Sequence, residues 1–438
     1  MTSGWIGIAE FIHETAYAEL PADIRRQARL CLFDLVGVAA AGTETPMSRI
    51  LRDHAYRQAP GPVGSPRLLF DGRRVGAAHA AMANAGTIDS MDGHDGHRLV
   101  KGHAGVTVLP AALAFFDGSA DMSTHDLLVT LAVGYEVALR AGITLHRTAH
   151  DYHSSGAWNS LGAAAVGARL LGLDAQASWH ALGIAEYSAP RGPMMRAIAH
   201  PTMVKDSSAW GAQAGVSAAL LAADGFTGGP AELTDSGGEW EDLGSRWRIL
   251  EQYFKPYPVC RWAHPAVQAV LALTAQHVPP ALVDHVEVLT FEAAAQLNTT
   301  LPNSTEEAQY SLPFAVAAAL VHGGVSTEDV LDPRSSPAVL RVASRVRLTS
   351  SPEMTRAFPG TRQAQVRLIL QDGRVLSSGT MTADGDPESP LSEAQLTTKF
   401  MSNTRRLAPQ RSDALKKLLL GAEPESLHEV LNLMTAPA

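Results

Sequence analysis

A chain of 438 residues exceeds one ordinary hydrophobic core, so two domains are expected, each able to bury its own interior. The 46% hydrophobic content with only 6% aromatic residues comes largely from Ala, Leu and Val, a mixture that favours close-packed helices. A net charge of -9 without a Lys/Arg run disfavours nucleic-acid binding, and two cysteines, Cys31 and Cys260, exclude a disulfide framework or an iron-sulfur site.

From Met1 to Glu10 there is no basic region ahead of an apolar stretch, and no uncharged run reaches the about 20 residues of a membrane helix. The expectation is a cytoplasmic protein without a membrane partner. Between Trp5 and Phe116 apolar residues recur at helical spacing, as in Ile24, Ala28, Cys31, Leu32, Leu35 and Val36, with Gly42 as a stop. Further helices are expected over His125–Leu145, Leu161–Leu171, Ala175–Ala185 and Ala212–Ala223, rich in small residues that let helices approach closely. Beyond Lys255–His264 the pattern changes. Val283–Phe291 alternates and is β-branched, and Gln365–Leu370 followed by Gln371, Asp372, Gly373 and Arg374 reads as a hairpin. Helical stretches at Leu312–Val321 and from Thr327 lie between them, giving a strand-helix-helix-strand-strand unit. Leu391–Met434 is helical and amphipathic again. The expected fold is mainly α with a smaller α/β domain: residues 1–264, completed by 391–438, form the helical part, and 265–390 a lid.

Four clusters carry candidate chemistry. Ile88–His103 gathers Asp89, Asp92, His94, Asp95, His97, Lys101 and His103 into sixteen residues, a density that asks for a cleft rather than a solvated loop. The second is His150, Asp151, Tyr152 and His153 ahead of a helix, and the third is Met203, Val204, Lys205 and Asp206. In the fourth, Lys255, Arg261 and His264 sit among Pro256 and Pro258, whose fixed dihedrals stiffen a loop suited to carboxylates. A metal reading is open: His94, His97 and His103 with Asp89 or Asp92 could ligate zinc, as in a metal-dependent hydrolase, although the spacing is not H-E-x-x-H. No nucleophile elbow, phosphate-binding loop or dinucleotide fingerprint is present.

In this order the clusters resemble the MmgE/PrpD family over nearly the whole chain. Asn84, Asp89 and Asp92, HAGVTVLP from His103 to Pro110, Gly134-Tyr135-Glu136-Val137 with Arg140, the stretch from Tyr152 and His153, MVKD, KPYPVCRWAH, YSLPFAVA, and Lys399 with Phe400 match eight family motifs in register. The resemblance implies a helical domain with a small lid, a homodimer, and proton abstraction beside a carboxylate of a small di- or tricarboxylate without metal or organic cofactor. It assigns His103, His153, Asp89, Asp92 and Lys205 to catalysis, with the two histidines on opposite faces of the substrate. Lys255, Arg261, His264, His97 and Lys101 are the substrate-binding candidates. Three departures, Gly93 in place of a threonine, the loop HDGHRLVKG that follows it and Phe314 in place of a tyrosine, turn the expectation toward an epimerase resembling iminodisuccinate epimerase. Methylcitrate dehydratase-like and cis-aconitate decarboxylase-like lyases are the alternatives.

Overall fold

The computed structural model describes residues 3–116, 122–235, 237–274, 278–421 and 426–438. Ten helices build the first part: α1 (Ser3–Glu14), α2 (Ala22–Gly42), α3 (Pro46–Gln58), α4 (Ala77–Asp89), α5 (Gly105–Phe116), α6 (Thr124–Thr148), α7 (Gly156–Leu171), α8 (Ala175–Ser188), α9 (Met194–Ala199) and α10 (Ser208–Ala223). The helical opening is broken at residues 59–76, where bridges pair Pro60 with Val75 and Arg67 with Arg74.

α6 is the central rod. It starts at a capping box of Ser123 and Asp126, and it is long and apolar enough in composition to cross a membrane. Yet 94% of its apolar window is buried inside the protein, the position of a core helix. The small residues have the consequence their spacing implies. At Gly215 of α10 a Cβ would stand 2.3 Å from the Ser160 carbonyl of α7, so only glycine allows these helices to meet as closely as they do.

The second part is built on a four-stranded sheet in the order β4-β3-β5-β6, with β3 (Val283–Thr290), β4 (Val346–Ser350), β5 (Ala364–Leu370) and β6 (Val375–Met381). β3 runs antiparallel to β5, with Val288 opposite Val366, and parallel to β4, with Val286 opposite Val346. Val286 and Val288 of β3 and Val366 and Leu368 of β5 are buried, the alternation a one-sided sheet requires. β4 is a correction to the expected unit: VRLTS is short and largely exposed, so it carries no alternating signal, and the parallel pairing is made through the helices before it. The helix expected from Thr327 ends at Leu331, and its continuation is a separate helix, Pro337–Ala343.

Of the C-terminal stretch 391–434, residues 422–425 lie outside the described residues. Its first helix, Glu393–Asn403, lies on α2, where Phe400 stacks on Phe33 at 4.2 Å between ring centres. From the same helix, Lys399 Nζ donates to Asp34 Oδ1 and to the Gly93 carbonyl, tying the chain's end to the first ionisable cluster.

Candidate active site

The cluster at Ile88–His103 is neither solvated nor wholly irregular. Ile88 and Asp89 close α4, and Gly96–His97 forms the two-residue strand β1, paired antiparallel with β2 (Gln252–Tyr253). Asp89, Asp92, His94, Asp95, His97 and His103 are all buried. His97 anchors this turn rather than reaching a ligand: its Nε2 is 3.0 Å from Glu251 Oε2 and its backbone N–H donates to Gly102 O. Burial works against the Glu251 charge, but the His97 hydrogen bond holds its carboxyl down to about 2. Gly96 is required there, since a Cβ would fall 2.4 Å from the Tyr253 hydroxyl and 2.7 Å from His103 Nδ1. Asp92, Lys101, Lys205 and Ser207 hold φ between 46° and 58°, a left-handed conformation that costs non-glycine residues and gathers at functional sites.

A small cavity is lined by Asp92, Lys101, His103, Asp206, Lys255 and Arg261, together with Tyr152, Tyr253, Tyr310 and a few apolar side chains. His103 is its pivot. Nδ1 lies 2.5 Å from the Asp95 carbonyl, which can only accept, so Nδ1 carries the proton and Nε2 is the free lone pair. Nε2 faces Asp206, 3.9 Å away. Burial, the neighbouring His94 and Lys255 push the His103 pKa down to about 3, so the imidazole is neutral at pH 7. Asp206 accepts from Ser155 Oγ at 2.8 Å and from the Tyr310 hydroxyl at 3.0 Å, while burial raises its pKa.

The cations are disposed differently. Lys255 Nζ donates to Asp92 Oδ1 at 2.8 Å and to its carbonyl at 2.9 Å. Burial alone would raise Asp92, but Lys255 and Lys205 hold it well below the usual carboxylate range. Lys205 is buried beside the cavity, donating to Gln309 Oε1 with its Nζ 5.3 Å from the centre of the Tyr310 ring. Asp89 lies behind, 3.5 Å from His94 Nε2, and burial, opposed by Lys205 and reinforced by Asp92, raises its pKa to about 6. Arg261 is bound to Asp386 at 3.0 Å and to the Asp384 carbonyl at 2.8 Å.

Two expected residues stand elsewhere. His153 is half-buried in the loop before α7, with Nδ1 2.8 Å from the Asp151 carbonyl, and is not among the cavity-lining residues. His264 begins the helix His264–Thr274, where its Nε2 meets the Val259 carbonyl at 3.1 Å and so braces the KPYPVCRWAH loop; it is not among the cavity-lining residues, and its Nδ1 is buried without a partner. Conversely, Asp206, Tyr253 and Tyr310 line the cavity and His94 packs edge-on to His103 at 4.4 Å, although none had been assigned to catalysis or substrate binding. Asp206 is the last residue of MVKD and Tyr310 the first of YSLPFAVA, so the motifs themselves carried the signal. Among the described residues no three His, Cys, Asp or Glu side chains converge as a metal-ligating group.

Family models covering residues 7–247, the MmgE/PrpD N-terminal domain, and 257–420, the MmgE/PrpD C-terminal domain, match this architecture. The chain belongs to the MmgE/PrpD family. It is 26% identical to cis-aconitate decarboxylase of Mus musculus over 91% of this chain and 86% of that protein. To the Homo sapiens cis-aconitate decarboxylase it is 25% identical, over 91% and 87%. The one from Aspergillus terreus is 23% identical over 98% and 95%. In the family's division the cavity lies where the domains meet: Asp92, His103 and Asp206 come from the first, and Arg261 and Tyr310 from the second.

Proposed function

We propose that this enzyme is a carbon-carbon lyase that removes CO2 from a small tricarboxylate of the cis-aconitate kind. The observation that carries the reading is a cleft in which a neutral imidazole with its Nδ1 proton tied down shares the walls with Lys101, Lys255 and Arg261. Relatives along nearly the full chain whose names state an activity are decarboxylases, which supports a lyase over the epimerase.

Loss of a carboxylate as CO2 breaks a carbon-carbon bond and leaves its electron pair on carbon. The neighbouring double bond passes that charge toward a remaining carboxylate, where Lys255 and Arg261 stabilise it. A proton must then reach carbon. Burial, His94 and Lys255 keep His103 neutral, and three carboxylates bound beside it raise its proton affinity, so substrate charges the imidazole and the carbanion discharges it. The net change is one solvent proton consumed per CO2 released.

Of the departures behind the epimerase expectation, Gly93 and Phe314 lie outside the cavity lining, while the loop HDGHRLVKG reaches it through Lys101. Phe314 is buried in the core of the helix Leu312–His322, and the Gly93 carbonyl is occupied by Lys399. Inversion also needs proton carriers on both faces of one carbon, and His153 does not join His103 at the cavity. The test is CO2 release from a panel of tricarboxylates. Release matching substrate consumption in wild type, and its loss in His103→Gln, is expected; an inverted dicarboxylate with no CO2 would overturn the proposal.

A further inference from the structure

We propose that Arg362 and Lys101 form an anion subsite at the edge of the cavity that holds the substrate carboxylate most remote from the carbon His103 serves. This rests on the polyanionic substrate proposed above.

Arg362 lies two residues before β5, on a loop whose base is fixed by Phe358. That ring stacks on Phe291 at 4.7 Å and meets Trp262 edge-on at 5.6 Å. Arg362 is 5% exposed, yet its Nε and Nη1 are buried with no hydrogen-bond partner in the protein. Nη2 makes a single long bond, 3.4 Å, to the Arg98 carbonyl. Among the described residues no carboxylate stands within ion-pair distance of it. A guanidinium withdrawn from water without a counter-charge is costly, and buried charges are ordinarily paired.

The comparison with Arg261 sharpens the point. Both guanidinium carbons lie on Tyr253, at 4.8 Å for Arg261 and 5.1 Å for Arg362. Arg261 is neutralised by Asp386 and two carbonyls; Arg362 is not. Lys101 adds a second uncompensated cation, since its Nζ rests 4.3 Å from the Tyr152 ring centre with no carboxylate within ion-pair distance among the described residues. The two residues meet at the Arg98 carbonyl, which accepts from Arg362 Nη2 at 3.4 Å and from the Lys101 backbone N–H at 3.2 Å.

Tyr253 joins this pair to the reacting end. It lines the cavity, and its ring centre is 6.4 Å from that of His103. A small tricarboxylate could therefore meet His103 with one carbon and the free guanidinium fork with a terminal carboxylate, the bidentate geometry an arginine offers and a lysine does not.

The test is calorimetric binding of tricarballylate, a saturated tricarboxylate, to wild type, Arg362→Gln and Arg362→Lys, with melting curves of each. The subsite predicts a Kd raised about tenfold to hundredfold in Arg362→Gln, partly recovered in Arg362→Lys, with a KM rising far more than kcat falls. An unchanged Kd, or a lowered Tm in both variants with no change in Kd, would make Arg362 a pillar for Tyr253 and overturn the subsite, as would a wild type that fails to bind the probe. Arg362-dependent binding by an enzyme that releases no CO2 from any tricarboxylate would keep the subsite and remove the lyase reading. CO2 release with a Kd indifferent to Arg362 would do the reverse.

Discussion

At the scale of single residues, His103 owes its chemistry to one hydrogen bond, from Nδ1 to the Asp95 carbonyl, which leaves Nε2 unprotonated toward Asp206. His103→Gln should cut kcat by at least about 100-fold, the usual worth of a positioned proton carrier. His153→Gln should cost much less, because its imidazole is not at the cavity; equal losses would restore a two-base site. Lys205→Ala should also lose turnover, read as kcat, since it removes a charge that Asp92 and Asp89 both feel. That lysine is buried, so some loss of Tm is expected as well. Asp89 gives a pH signature. Its folded pKa, raised to about 6, lies above the unfolded value, so its contribution to stability is full below about pH 4 and is lost as pH rises through 6. The Tm of Asp89→Asn should therefore gain on wild type between pH 4 and 7, and a constant difference would contradict the burial argument. Motifs made Asp92, His103 and Lys255 legible. Asp206 and Tyr310 lay within quoted motifs but had no role assigned, because one carboxylate or phenol at a motif's end looks like any polar residue until the fold turns it inward.

At the scale of elements, the active-site turn is held by β1 against β2, a pairing of two residues each that no periodicity can announce. Long helices were legible because their burial is continuous: Thr124–Thr148 exceeds the expected His125–Leu145 only at its ends, where polar residues blur the pattern. The strand Val346–Ser350 was not, since its partner β3 supplies the pairing and most of its own side chains stay in solvent. Helix approach gives the test at this scale. Gly215→Ala would drive a methyl into the Ser160 carbonyl, and the expected cost is about 1–3 kcal/mol, measured by denaturant unfolding with unchanged slope. A neutral effect would show that α7 and α10 can separate freely.

At the scale of the whole molecule, the cavity joins two domains, so a polyanion bound there should stabilise both at once. With tricarballylate at about 100 times its Kd, linkage gives roughly 2.7 kcal/mol, read as an upward shift of one common melting transition. A shift in only one of two resolved transitions would place the ligand within a single domain. The central claim is that the enzyme cleaves a carbon-carbon bond and delivers a proton to the resulting carbanion. Its most direct test is proton NMR of the purified enzyme with cis-aconitate in D2O. The account predicts a dicarboxylate product bearing one carbon-bound deuterium for each CO2 released; deuterium exchange or inversion in an otherwise intact acid, with no CO2 formed, would contradict it.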